Sequence, residues 1–374
     1  MSTATSMTPL EELMATPQET VDPSLHPSEV FELFSIPAYD FKAPEVVEGS
    51  AIGSAKKCVE PGDVLLSRIV PHIRRAWVVP EASGHRQIAS GEWIVFRSKK
   101  FNASYLQHLL VSDVFHTQFM NTVAGVGGSL LRARPAFVAK IEIPLQPLPE
   151  QKRIADILDK ADAIRRKRRE AASMADDVTP ALFREMFGDP VSNEKDWPLR
   201  PFGELAANQD GRRKPVKASD RAQVQGEYPY YGASGIIDYV DSYLFDETSL
   251  LIAEDGANLL ARSTPVAFIA SGKYWVNNHA HVVTENGAAR LRYLSTHLNL
   301  RSIRDFVTGS AQPKLNQANL NKIPIPYPPL SLQDEFDRRL DAVALIRAKQ
   351  TDADTDADAV FNSLVQKAFS GGLS

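Results

Sequence analysis

A chain of 374 residues, 43% hydrophobic and 24% charged with a formal net charge of −4, has the make-up of a soluble globular protein of two or three domains. No apolar run approaches the ~18–20 residues of a membrane-crossing helix, and the start lacks the basic-then-apolar pattern of a secretion signal. The single cysteine, Cys58, can form neither an internal disulfide nor a cysteine metal cluster, and it fits a reducing cytoplasm. Charge is unevenly spread: residues 1–55 carry one base against nine acids, whereas residues 56–140 carry 12 bases against 5 acids, enough to meet a polyanion.

Residues 1–28 are rich in Thr, Ser, Pro and Glu without apolar periodicity, and read as a flexible extension. From Phe31 the chain changes to short apolar runs broken by Gly and Pro. Residues 63–70, 75–79 and 92–97 are β-branched and aromatic enough to be strands, with turn signals at Pro61-Gly62-Asp63 and Pro71-His72. A helix is expected over 103–121, where Leu106, Leu109, Leu110, Val114 and Phe119 fall near helical spacing. A glycine-rich loop at 124–129 then leads to a long helix starting just after Pro149, because a first turn has no use for the missing N–H. Ile154, Ile157, Ala161, Ile164, Ala171, Ala175, Val178 and Leu182 give this helix a heptad-like seam, with Arg168 in one slot. The seam runs for roughly 50 Å; Pro180 is a late bend and Gly188-Asp189-Pro190 the end.

A second mixed unit begins near Trp197, with strands expected at 227–231, 249–253, 265–270 and 280–284 and a helix over 288–306. A Gly/Ser loop at 309–311 precedes a second long helix. Its seam of Phe336, Leu340, Val343 and Ile346 is expected to weaken through the acidic residues 351–358, resume at Val360, Phe361, Leu364 and Phe369, and stop at Gly371-Gly372.

Strands, helix, loop and long helix therefore occur twice in the same order, and the repetition is visible residue by residue. Residues 140–167 and 322–349 align without a gap at an offset of 182, and 12 of the 28 positions are identical, among them Lys140/Lys322, Pro144/Pro326, Gln151/Gln333, Leu158/Leu340 and Ile164/Ile346. Two such helices can pair in antiparallel fashion and hold two globular heads a fixed distance apart.

On these residues the chain resembles the specificity (S) subunits of type I restriction-modification systems. The resemblance is carried by Pro-Leu-Pro-Glu-Gln-Lys-Arg-Ile (147–154) running into Ile-Leu-Asp-Lys-Ala-Asp (157–162), and by the diverged copy Pro-Leu-Ser-Leu-Gln (329–333). The stretches at 34–40, 61–67 and 273–283 add to it. It implies an α+β fold with an internal pseudo-two-fold duplication. Two mixed α/β target-recognition domains (29–147 and 190–328) would be separated and paired by two long antiparallel coiled-coil-like helices (148–189 and 329–374). It further implies that each head reads one half of a bipartite double-stranded DNA target, while the helices set the spacer and dock two methyltransferase subunits. The docking residues would include Pro149, Gln151, Lys152, Ile154, Leu158, Gln333, Phe336 and Leu340. Restriction (translocase) subunits would join the assembly. S-adenosylmethionine, ATP and Mg are expected on those partners and no cofactor on this chain. The second copy departs from the pattern at Ser331-Leu332-Gln333-Asp334 and in its acidic run, which bears on its docking face.

Common catalytic signatures are missing. The sequence has no Asn-Pro dipeptide for an adenine methyltransferase motif, no Pro-Asp for a restriction-nuclease motif, no Gly-x-x-x-x-Gly-Lys-Ser/Thr loop and no H-E-x-x-H pair. His279 and His281 share a strand face but lack a third metal ligand at suitable spacing. A non-catalytic binding subunit is the expectation; a helical scaffold with two protein-binding heads, or heads that hide a nuclease site, are the rivals.

Reading bases needs side chains with two hydrogen-bonding arms, and phosphate contacts need Lys, Arg and small polar groups. In the first head the candidates are Arg68, His72, Arg74 and Arg75 around one turn, Arg86, Gln87 and Ser90 in a second loop, and Arg132 and Arg134 beside the glycine-rich 125–129 segment. Solvated strand ends and an ordinary connector explain the same residues. In the second head they are the basic Arg212, Arg213, Lys214 and Lys217, the turn containing Tyr231 and Ser234, and Asn277, Asn278 and His279. Adjacent amides suit adenine, and equally suit tying a turn to the backbone. Gln312 and Lys314, with Asn316, mirror Arg132 and Arg134. The basic run at 165–169 lies mid-helix and reads as a solvated or partner-facing surface.

Overall fold

The computed structural model describes residues 6–125, 131–176, 178–309 and 312–370, and the chain divides into two compact units. Unit 1 is Met1–Arg169 together with Asp352–Ser374, and unit 2 is Glu170–Thr351.

Unit 1 is built on a three-stranded antiparallel sheet in the order Ala76–Val78, Val64–Ser67, Trp93–Phe96. Alternation along each strand serves two cores at once. Val64, Leu66, Ala76, Ile94 and Phe96 face the helix Ala103–Val111, while Leu65, Trp77 and Val95 meet Phe34 and Trp93 on the other side. A five-stranded mixed sheet (Thr20–Val21, Lys56–Cys58, Arg86–Ala89, Val30–Phe34, Glu45–Glu48) completes the head. The expected strands are present; the two-residue and four-residue strands of the second sheet were too short to show a period. The expected helix over 103–121 is two helices, Ala103–Val111 and Asp113–Met120, because Ser112 leaves helical geometry and its hydroxyl caps the second by accepting from the Phe115 N–H.

The expected loose extension is corrected. Ser6–Pro9 forms a strand antiparallel to Glu142–Leu145, and Leu10 and Leu13 are fully buried in the core. A polar composition hid two leucines that pack into the core of the head.

Unit 2 repeats the plan. Ala206–Asn208, Ala280–Glu285, Ser249–Ala253 and Ala267–Ala270 form an antiparallel sheet that packs on the helix Leu291–Leu300. A second sheet contains Gly235–Val240, Gln225–Gly232, Lys273–Val276 and Phe245–Asp246. Leu199–Pro201 pairs with Pro324–Pro326 as Ser6–Pro9 pairs with Glu142–Leu145.

The duplication extends to single hydrogen bonds. Gln151 is fully buried; its Oε1 accepts from the Asn102 N–H (2.7 Å) and its amide donates to the carbonyls of Gln146 (2.7 Å) and Lys100 (3.0 Å). Gln333, also fully buried, accepts from the Arg290 N–H (2.9 Å) and donates to the Pro328 carbonyl (2.9 Å). The Tyr105 hydroxyl donates to the Pro144 carbonyl and the Tyr293 hydroxyl to the Pro326 carbonyl. Each lock ties a head helix to the start of a long helix.

The long helices run Leu148–Asp176, followed by Val178–Phe187, and Leu330–Ser370. The second is continuous through 351–358, against the expected weakening: Asp358 is paired with Arg169 (3.0 Å) and Arg165 (3.5 Å), and the Arg165 guanidinium lies 4.1 Å from the Phe361 ring centroid. In unit 1 this pairing is antiparallel, Arg169 with Asp358 and Arg165 with Phe361. In unit 2 it is antiparallel as well, with Arg339 beside Glu185 and Phe336 against Phe187. The basic run therefore finds part of its partner within the chain. The seam is rotated from expectation, since Ile164 is 56% and Ile346 58% exposed while Ile154 and Leu158 are buried. The expected stop at Gly371-Gly372 lies outside the described residues.

Candidate nucleic-acid interface

The two heads share one piece of backbone at the end of their central strand. In unit 1 the Ser67 N–H donates to the Arg75 carbonyl, Arg68 N–H to Glu92, Ala133 N–H to Arg68 and Val70 N–H to Leu131. In unit 2 the Ala253 N–H donates to Val266, Glu254 N–H to His279, Leu315 N–H to Glu254 and Gly256 N–H to Pro313. Single bridges join Ile69 to Arg132 and Asp255 to Lys314. Position by position, Arg68 answers to Glu254, Glu92 to His279, and Arg132 to Lys314. The chain then turns into the left-handed region at Val70 (φ 48°), where the second head has Gly256 (φ 110°). A β-branched residue seldom adopts that geometry, and such strain concentrates at functional sites.

Onto this frame the first head mounts a basic cluster. Arg68 Nε donates to Glu92 Oε2 at 2.9 Å, and Arg132 approaches Glu92 Oε1 at 3.4 Å; the two arginine side chains are about a third and two-fifths exposed. Lys57 Nζ donates to the Trp93 carbonyl alongside, and burial, then the Arg68 charge, pushes its pKa down despite Glu92. The expected turn cluster is split. Arg74 pairs with Asp113 at 2.5 Å, and His72 is exposed.

Three first-head candidates are corrected. The Arg75 side chain is only 11% exposed, 3.6 Å from Asp40. Gln87 is buried: its Nε2 donates to Glu32 (2.8 Å) and to the Pro80 carbonyl (3.0 Å), and its remaining Oε1 is enclosed, out of reach of a base. Ser90 is half-buried and accepts from the Glu92 N–H. Arg86 is exposed at the opposite end of its strand, Arg134 is exposed with its guanidinium over the Phe137 ring, and residues 126–130 of the glycine-rich segment lie outside the described residues.

In the second head Ser234, Asn277 and His279 line one concavity with Asp255 and Gly256, and Lys217, Asn277, Asn278 and His279 line an adjoining one. The structure thus brings together the turn, the amide pair and the basic loop. Asn277 itself is buried and its Oδ1 accepts from the His279 N–H (2.8 Å), so it shapes the turn and Asn278 and His279 carry the exposed groups. His279 Nδ1 contacts Asp255 Oδ2 at 2.8 Å. Gln312 and Lys314 are exposed on the neighbouring loop, with Lys314 Nζ 3.1 Å from Glu254.

Arg213 is corrected too. It is 13% exposed and bridges Glu254 (2.8 Å) and Asp210 (3.3 Å). Tyr231 is half-buried against Phe268 and Tyr274, and burial pushes its hydroxyl pKa up. Arg212 pairs with Glu247 over the Phe245 ring, and Lys214 is exposed.

Asp210, Glu254 and His281 bring ligand-type atoms within 4.8 Å of one another, a convergence that sequence spacing did not reveal. They do not suit a metal. The Arg213 guanidinium already joins the two carboxylates, His281 Nδ1 is 2.6 Å from Asp210, and its Nε2 donates to the Leu315 carbonyl (2.8 Å). Burial raises the Asp210 pKa, but the His281 and Val282 hydrogen bonds outweigh it and hold the carboxylate below its usual range.

The docking candidates fare differently. Gln151, Ile154, Leu158, Gln333 and Phe336 are buried within their own units and so are not available to a partner, a correction to the expected docking set, while Leu340 is half-buried against the second core. Pro149 and Lys152 are exposed.

Compared with known proteins, the chain matches a family profile described as the type I restriction modification DNA specificity domain twice, over residues 42–172 and 194–351. It is 40% identical over 157 residues to the putative type I restriction enzyme specificity subunit S.HindORF215P of Haemophilus influenzae, which is 42% of this chain. The match covers only 39% of that relative's length. A chain from a solved structure on complex assembly and conformational transition of the type I R-M system aligns over 98% of both chains, with a TM-score of 0.67 and 19% identity. The type I S subunit of M. genitalium aligns over 98% of this chain and 96% of its own, with a TM-score of 0.55 and 13% identity. At these identities the structural likeness speaks for the fold alone.

Proposed function

Because the chain belongs to the type I restriction-modification DNA specificity family, we propose that it is the subunit that chooses the DNA sequence on which such a complex acts. Each head reads one half of a bipartite duplex target, and the long helices set the spacer and hold the methyltransferase subunits. The observation that carries this is the duplicated junction: one backbone frame, used twice, presents different polar side chains in the two heads. That is the form expected of two readers with one architecture and separate targets.

The chemistry is assigned to partner subunits carrying S-adenosylmethionine, ATP and Mg, with translocating restriction subunits joining the complex. The chain's own part is to bind and orient DNA. Exposed Arg, Lys and Ser side chains would hold phosphates and fix register, and the junction side chains would meet base edges. For docking, Ile164 and Ile346, at matching positions of the two copies and both exposed, replace the buried residues as apolar anchors.

Deleting the gene should erase adenine methylation at one split motif in the host genome and restore it on complementation. Single-molecule methylome sequencing reads this directly, and an unchanged methylome would sink the proposal.

A further inference from the structure

The junction carries a more specific assignment, which rests on the DNA-reading role just proposed. In the first head Glu92 grips Arg68 through Nε alone, leaving both terminal nitrogens of that guanidinium without a partner among the described residues. Arg132 leans on the other oxygen of the same carboxylate. An arginine fixed by a carboxylate and still offering a donor fork matches the paired O6 and N7 acceptors of guanine. In the second head the place of Arg68 is taken by an acid, Glu254, which is turned inward and neutralised by Arg213 and Lys314, so no guanidinium faces outward there. His279 stands there where Glu92 stands in the first head. Its Nδ1 faces Asp255, so in the neutral ring, with the proton on Nδ1, Nε2 on this half-exposed side chain is an acceptor. An acceptor suits the exocyclic amino group of adenine or cytosine, not guanine's O6 and N7.

We propose that this duplicated junction is the base-reading point of each head, with Arg68, oriented by Glu92, taking a guanine in one half-site and His279, oriented by Asp255, taking an amino-bearing base in the other. Arg132 completes the first pair. Glu92 and Asp255 are positioning residues, and the left-handed turn at Val70 or Gly256 aims the strand end at the groove.

The test uses the full chain in the complex purified from its host and a pool of duplexes with a randomised stretch of about 30 base pairs, long enough for two major-groove contacts on one face. Wild type should enrich a split motif with guanine at a fixed position of one half. Arg68→Lys keeps the charge but loses the fork, and should lower the preference for that guanine roughly 10-fold while leaving the other half intact. Glu92→Gln should relax the same position, and His279→Ala should relax one position of the other half only. The melting temperature of each variant is read alongside, and selectivity lost at one position with unfolding unchanged is not a structural effect. An enriched motif unaltered by Arg68→Lys, or Arg68→Ala weakening all sequences equally as a phosphate contact would, overturns the junction assignment and leaves the specificity role standing. A wild-type complex that enriches no motif takes both down.

Discussion

His297 has no hydrogen bond to either ring nitrogen among the described residues and sits against Phe183 and Tyr293 in the second core. Burial, then the neighbouring Arg301, pushes its pKa down to about 3, with the Pro190 backbone and Asp189 pulling weakly the other way. The unfolded chain takes up a proton near the ordinary histidine value and the folded chain does not, so stability is intact above about pH 6.5 and falls as pH drops toward 3. The slope is at most about 1.4 kcal/mol per pH unit. Asp337 works in the opposite sense. Burial, only partly offset by Arg292, raises its pKa to about 6, so its contribution is present below its ordinary value and lost as pH rises through 6. The two overlap between pH 4 and 6, and the wild-type curve alone does not separate them. In His297→Leu, which keeps the site apolar, the loss of unfolding free energy from pH 7 to pH 4.5 should shrink by roughly 2 kcal/mol. Equal losses in the two proteins by denaturant titration would show that the ring is already satisfied.

At the scale of the element, the glutamine lock explains a residue that survives in both copies of the repeat. Gln151→Ala removes a partner from the part-buried Asn102 N–H and from the Gln146 and Lys100 carbonyls, and Gln333→Ala removes one from the Arg290 N–H and the buried Pro328 carbonyl. Unsatisfied buried groups cost about 1–3 kcal/mol apiece before relaxation or water entry. Each variant should therefore lower unfolding free energy by roughly 2–4 kcal/mol, with Gln151→Ala the worse. Differential scanning calorimetry checks this, and a shift under 1 °C would mean that the lock carries little. The lock also marks how far the sequence could be read. The duplication and the helix starts were legible because identity at Gln151/Gln333 and Pro144/Pro326 needs no geometry. That both glutamines face inward was not, since a polar residue on an amphipathic helix reads as exposed until the head helix arrives to cover it. Leu10 and Leu13 were overlooked for the same reason: their burial depends on segments far along the chain, Trp93–Phe96 and Glu142–Leu145 among them. The reading candidates divided likewise. Arg68, Arg132 and His279 stayed outward, Gln87, Arg213 and Asn277 turned in, and Glu92 and Asp255 were missed because an acid's value lies in the arginine or histidine it steadies.

Each unit as a whole is assembled from segments far apart in the chain, with Ala368 and Phe369 completing a core that begins at Leu10. Cores closed by such distant contacts are slow to form, because loop-closure entropy opposes them before they are rewarded. Against that closed interior, Ile164 and Ile346 stand out as matched apolar residues left uncovered. If they anchor two copies of a methyltransferase subunit, Ile164→Asp and Ile346→Asp should each remove about one copy from the co-purified complex, and the double variant both, with melting of the isolated chain unchanged. Wild-type stoichiometry in the double variant, by mass photometry, would exclude these anchors.

The backbone of each junction is framed by main-chain hydrogen bonds, among Arg68, Glu92, Leu131 and Ala133 in one head and Glu254, His279, Pro313 and Leu315 in the other. A frame made of peptide groups is indifferent to which side chains it displays. Substitutions at Arg68 or His279 therefore leave that frame in place, and on the proposed reading role a new preference can arise in one half while the other keeps its own.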